Sequence, residues 1–178
     1  VDSVIPTASR RLQWELSNVS LIGMPGCGKS TVGAALAKRL NKTFVDLDEE
    51  IERRTGNNIP DIFAHEGEEA FRRYEADILA DVAKHTGQVI ACGGGVIKTH
   101  ANVHALRQNG CVLWVQRPLG KLATGGRPLS QGGAALKQLQ AERTPLYQAA
   151  AHAVLDNSGA LADTVEAAVR LFETDIAL

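Results

Sequence analysis

Gly23, Gly26, Gly28, Lys29 and Ser30 stand in the run IGMPGCGKST, from Ile22 to Thr31, at the spacing G-x-x-x-x-G-K-[ST]. At that spacing bare backbone N–H groups curl around phosphate oxygens, a lysine adds charge and a hydroxyl reaches a cation. Gly26, Cys27, Gly28, Lys29, Ser30 and Thr31 are therefore the candidate contacts to a nucleotide's phosphates. A glycine turn with an incidental lysine would not need the flanks found here. NVSLIG before the loop suits a buried strand, and STVGAALAKRL after it carries Val32, Ala35, Leu36 and Leu40 at helical spacing. A helix starting near Lys29 would aim its free N–H groups and positive dipole end at an anion. Cys27 sits inside this cradle, where the same N–H groups would favour a thiolate; an inert small side chain is the plainer reading.

Carboxylates come next. KTFVDLD ends in Asp46 and Asp48, whose x-D-x-D spacing puts both on one side of a strand end, where they could serve a magnesium ion and a proton. Taken alone, the same pair reads as a helix N-cap and a first-turn acid. Gly93, Gly94 and Gly95 let a ligand lie against bare backbone after a third apolar run. FRRYE places Arg72 and Glu75 three apart on a helix, Arg127 lies in TGGRPLSQGG, and Arg143 in ERTPLY. Each arginine is unremarkable singly, and phosphoryl transfer gives each a reason.

The elements that must hold these residues alternate. NVSLIG, KTFVDLD, GQVIACGGG, CVLWVQ and AHAVLDN read as short strands, and helical periodicity lies between them, over Asp48–Thr55, Ile59–His65, Glu66–Lys84, Thr99–Asn109, Ala134–Ala150 and Ala160–Phe172. The alternation predicts a three-layer α/β/α fold: a parallel sheet with helices on both faces and ligands beyond the carboxyl ends of the strands. The glycine-rich stretch at about 122–133 reads as a mobile lid, residues 18–178 as a single domain and residues 1–17 as an extension or linker.

A length of 178 residues suits one core. With 19 Lys+Arg against 20 Asp+Glu, the net charge of −1 offers no general attraction to nucleic acid or an anionic membrane. The three cysteines show no disulfide or zinc spacing, so a reducing cytoplasm is the expected compartment. VDSVIPTASRRLQWELS lacks the apolar centre of a signal peptide. It is compatible with an expression scar, a processed end or a linker from a longer multifunctional polypeptide; for the unit itself a monomer is expected.

Taken in order, the Walker A loop, DLDEEIERRTG, IPDIFAHEGEEAFRRYE, GGGV, the lid RPL, RTPLY and a late VLDN make the chain resemble shikimate kinase from Asn18 to about Phe172. The resemblance implies the fold of nucleoside monophosphate kinases, with a five-stranded parallel sheet. It implies transfer of the ATP γ-phosphoryl group to the 3-hydroxyl of shikimate with Mg2+, in aromatic amino-acid (chorismate) biosynthesis. By position, Asp48 meets the substrate hydroxyl as base, Asp46 and Ser30 serve magnesium, and Lys29 and Arg127 meet the phosphates. Arg72 and Arg143 hold the shikimate carboxylate, Glu75 orients Arg72, Gly93, Gly94 and Gly95 line the pocket, and Phe63 and Phe71 wall it. In one departure, KLATGGRPL offers Ala123 where many members carry an adenine-stacking arginine. A gluconate kinase-like enzyme and a non-catalytic nucleotide-binding module are the competing readings.

Overall fold

β1 (Asn18–Ile22) is buried along its whole length, as a central strand must be in a sheet covered on both faces. It follows α1 (Val4–Leu16) and leads through the glycine loop into α2 (Lys29–Leu40). There follow β2 (Thr43–Asp46), α3 (Leu47–Thr55), α4 (Ile59–His65), α5 (Gly67–Val82), β3 (Gln88–Ala91) and α6 (His100–Gln108). The remainder is β4 (Gly110–Gln116), α7 (Leu129–Ala150), β5 (Ala153–Asp156) and α8 (Leu161–Asp175). The structure, a computed structural model, describes residues 4–122 and 129–175.

The five strands are all parallel in the order β2-β3-β1-β4-β5. Val19 pairs with Val89 and Cys111, and Leu21 with Ala91 and Leu113, so the apolar runs lie side by side across the centre. The order reverses direction at β1. With right-handed crossovers, the β1-to-β2 connection and the β3-to-β4 connection therefore fall on opposite faces. Accordingly α2 packs with α8, while α6 and α7 lie against β4. The core closes with fully buried Leu21, Ile22, Leu36, Leu79, Leu113, Leu155 and Phe172. Parallel strands all point their carboxyl ends at one edge, so the loops after β1, β2, β3, β4 and β5 share a rim.

Most helix boundaries lie within three residues of the sequence reading, and two larger differences stand out. α7 begins at Leu129, not Ala134, so the last part of the expected lid, including Gly132 and Gly133, is helix. The paired glycines read as a break because each costs about 1 kcal/mol in a helix interior, a penalty that the rest of a long helix outweighs. Arg127 and the lid residues 123–128 lie outside the described residues. The leading segment, to which the sequence reading gave no element, forms α1. Its end is fastened: Trp14 packs on Phe172 with ring centroids 4.9 Å apart, and the Lys42 ammonium donates to the carbonyls of Trp14 and Ser17. Burial in this contact lowers the Lys42 pKa to about 8.

Candidate active site

The loop after β1 is held from below and behind. Gly28 caps α2 with φ 95°, a left-handed conformation that favours glycine, and a Cβ there would lie 2.6 Å from the Asn157 amide nitrogen. That amide donates to the Cys27 carbonyl at 2.8 Å, and the Thr164 hydroxyl donates to Asn157 Oδ1 at 3.0 Å. Asn157, at the end of β5, is thus a brace for the phosphate loop. The sequence signal was the late VLDN, whose Asn has no chemistry of its own to betray the role.

Lys29 is buried, and its ammonium donates to the carbonyls of Gly23 and Met24, both at 2.9 Å, and approaches the Cys27 sulfur at 3.6 Å. It ties the loop's own backbone together at the floor of the cradle. Cys27 is only 1% exposed, belongs to the hydrophobic core and does not line the cleft, so its thiol faces the core, while its N–H donates to the Met24 carbonyl at 3.2 Å. Gly26, Gly28, Ser30 and Thr31 line a cleft of about 440 Å³ whose far side is formed by Asp46, Asp48, Gly93 and Gly94.

Asp46 answers the choice between cap and ligand by splitting the work. Its Oδ1 accepts from the backbone N–H of Asp48 at 3.0 Å and of Glu49 at 3.3 Å, capping α3, while its Oδ2 accepts from the Ser30 hydroxyl. One hydroxyl and one carboxylate oxygen, facing each other across the mouth of the loop, suit a hard divalent cation whose remaining ligands are phosphate and water. Asp48 projects from the first turn of α3. Burial raises its pKa, as does the charge of Asp46, while Lys29 and Arg72 pull it down.

The three glycines after β3 each meet a different functional side chain. A Cβ on Gly93 would lie 2.8 Å from Asp48 Oδ1 and 3.3 Å from Glu75 Oε2. On Gly94 it would lie 3.1 Å from the Arg143 guanidinium, and on Gly95 it would overlap that of Arg72. Bare backbone is therefore required for these side chains to converge. Arg72 donates to Glu75 at 2.8 Å and lies over the Phe71 ring at 5.1 Å, and Phe63 packs on Phe71 at 4.8 Å. Glu75 is completely buried; that burial raises its pKa against the pull of Arg72. Arg143 reaches the same place from α7 beside Tyr147, whose hydroxyl donates to the Gly94 carbonyl at 2.6 Å. Burial pushes the Tyr147 pKa up to about 12, so the phenol keeps its proton as a structural donor.

Asp48, Arg72, Glu75, Gly93, Gly94, Gly95, Arg143, Phe63 and Phe71 are thus assembled beyond one end of the sheet, next to the loop bearing Lys29 and Ser30. Sequence reasoning passed over Arg117, which lines the cleft from the end of β4. Its only signal was position, the residue directly after an apolar strand. The arrangement has a phosphate cradle, an acid pair at its mouth and a paired guanidinium site behind three glycines. It is built to bring a polyphosphate against the hydroxyl of a small anion.

Comparison with known proteins gives the same direction. The family model for shikimate kinase matches residues 25–173. The shikimate kinase of Nitrosomonas europaea is 44% identical over 148 residues, spanning 79% of this chain and 70% of that protein. That of Clostridium botulinum is 38% identical over 155 residues, spanning 84% and 93%. Among solved structures, shikimate kinase from Acinetobacter baumannii in complex with shikimate superposes with a TM-score of 0.84 at 35% identity, covering 93% of this chain and 98% of that one. Shikimate kinase from Aquifex aeolicus superposes with a TM-score of 0.77 at 29% identity, covering 89% and 97%.

Proposed function

The chain belongs to the shikimate kinase family, and from that premise we propose that it transfers the γ-phosphoryl group of ATP to the 3-hydroxyl of shikimate, giving shikimate 3-phosphate and ADP. Family membership favours this over a gluconate kinase-like enzyme or a non-catalytic nucleotide-binding module. The observation that carries the substrate side is the convergence of Asp48, Arg143 and Arg72 on three consecutive glycines. Two guanidinium groups offer planar, bidentate donors to a carboxylate, and a carboxylate base stands a short distance away for a hydroxyl on the same ring.

In this mechanism Arg72 and Arg143 hold the shikimate carboxylate, with Glu75 fixing the Arg72 guanidinium through its 2.8 Å hydrogen bond. Phe63 and Phe71 bound the ring. Asp48 accepts the proton of the 3-hydroxyl as its oxygen bonds to the γ-phosphorus and the bond to the ADP oxygen breaks. Backbone N–H groups of Gly26, Gly28, Lys29, Ser30 and Thr31 bind phosphate oxygens, the Cys27 N–H being held by the Met24 carbonyl, and Lys29 exchanges a loop carbonyl for the moving phosphoryl group. Ser30 and Asp46 would hold Mg2+, which when bound neutralises phosphate charge. Arg127 is proposed as a further phosphate contact, and the segment at about 122–133 as the lid. Residues 18–178 are taken as the single catalytic domain.

ADP release measured with and without shikimate tests the reading. Turnover should require shikimate and fall sharply with an analogue lacking the carboxylate. Equal ADP release in the absence of shikimate would contradict it.

A further inference from the structure

We propose that Arg117 is a catalytic residue of this chain that binds the γ-phosphoryl group from the end of β4, in the cleft that Lys29 also lines. The proposal rests on the phosphoryl-transfer reading above. Arg117 directly follows β4, the strand paired with β1, and the pairing of Ile22 with Trp114 sets it three residues beyond the level at which the phosphate loop begins. It lines the same cleft as Gly26, Gly28, Lys29, Asp48 and Gly94, a space that touches both the cradle and the hydroxyl side.

One of its donors is unspent among the described residues. The Nε of Arg117 is buried with no hydrogen-bond partner among the described residues. Arg72, by contrast, is engaged by Glu75, and Arg107 by the carbonyl of Ala150 at 2.7 Å. Asp156 lines the cavity on the other side of Arg117, but its carboxylate accepts from the N–H and hydroxyl of Ser158 at 3.0 and 2.9 Å. A buried guanidinium N–H without an acceptor costs free energy that a phosphoryl oxygen would recover. A strand end also holds a cation where charge develops without reorganisation, which the flexible arm of a lysine tied to loop carbonyls does less well.

The choice of phosphate follows from the shape of the cleft. Arg117 shares it with Asp48 and Gly94 on the acceptor side, and the phosphoryl group nearest those residues is the one transferred.

The test compares Mg2+-AMP-PNP with Mg2+-ADP by titration calorimetry in the absence of shikimate, for wild type, Arg117→Met and Arg117→Lys. Arg117→Met should weaken AMP-PNP by about tenfold or more, as loss of a charge-assisted hydrogen bond does, while ADP changes by less than about twofold. Arg117→Lys, which keeps the charge and most of the volume, should recover part of the loss. In turnover, kcat should fall by at least about tenfold with the shikimate KM unchanged. Equal losses for both nucleotides, or none for either with wild-type melting behaviour, would overturn the assignment. Should Arg117→Met fail to fold, an Arg117→Lys protein with unaltered AMP-PNP affinity and unaltered kcat would overturn it as well. Wild-type nucleotide binding without shikimate-dependent turnover would fail the substrate reading and leave the binding comparison intact.

Discussion

The phosphate cradle and the anion pocket face each other across one cleft, yet they are built in opposite ways. The cradle is local: the six-residue loop between β1 and α2 supplies its glycines and the first turn of α2 its lysine and hydroxyl, with Asn157 as the brace from outside. The pocket is an assembly, taking Asp48 from α3, Arg72 and Glu75 from α5, the glycines from the loop after β3 and Arg143 from α7. A local site is damaged in its chemistry by a single substitution. An assembled site is damaged in its geometry, and a methyl group in the wrong place can act as strongly as the loss of a charge.

The largest effect should come from the cradle's floor. Lys29→Met is expected to lower kcat by roughly a thousandfold, because it removes the charge that would follow the phosphoryl group, and to weaken ADP binding much less. Stopped-flow and equilibrium titration separate the two; a loss confined to nucleotide affinity would make Lys29 a strut only.

Asp48→Asn should lower kcat by about a hundredfold or more. The raised pKa of Asp48 sets a further expectation, because protonated Asp48 cannot take the hydroxyl proton. Activity should decline with falling pH through a value raised above that of an ordinary aspartate, and Asp48→Asn should remove that limb. The stability sign runs the other way. With the folded pKa raised, the folded state binds more protons than the unfolded chain between the two values, so this group's contribution falls as pH rises through that window. Asp48→Asn should therefore melt above wild type at neutral pH, the gap narrowing on acidification, and an unchanged or lower Tm would contradict the burial argument.

On the assembled side, Gly95→Ala should raise the shikimate KM by about tenfold by displacing the Arg72 guanidinium, with the ATP KM unchanged. Arg72→Ala should do the same or more. If Gly95→Ala is silent while Arg72→Ala is not, the guanidinium has room to move and the three-glycine geometry is not what positions it. The smallest effect should be Asn157→Ala, which removes the amide that accommodates Gly28 and holds the Cys27 carbonyl. A loss of about 1 kcal/mol, or roughly 2–4 °C in Tm, is expected with an ATP KM raised a few-fold. A larger effect on shikimate than on ATP would place Asn157 on the wrong side of the comparison.

Legibility follows the same division. The helix from Lys29, the helix Ile59–His65 and the five strands were readable because each rests on short-range periodicity and turn chemistry. α7 was read five residues short because paired glycines look like a break until a long helix carries them. Asp46 was ambiguous between cap and metal ligand because the sequence shows a residue and not its two oxygens. Arg117 and Asn157 were missed as site residues for one reason: each follows an apolar strand by a single step, and nothing local distinguishes that from a surface polar residue.

The sequence by itself determined the phosphate loop, the alternation of strands and helices and the residue types available to a small anion, since these depend on neighbours a few positions away. Only the tertiary structure decided which of those residues meet. The order β2-β3-β1-β4-β5 brings residues as far apart as Asp48, Gly94, Arg117 and Asn157 to one rim. That order is compatible with burying both faces of a parallel sheet beneath right-handed crossovers, a requirement of the whole core that no short stretch of sequence carries.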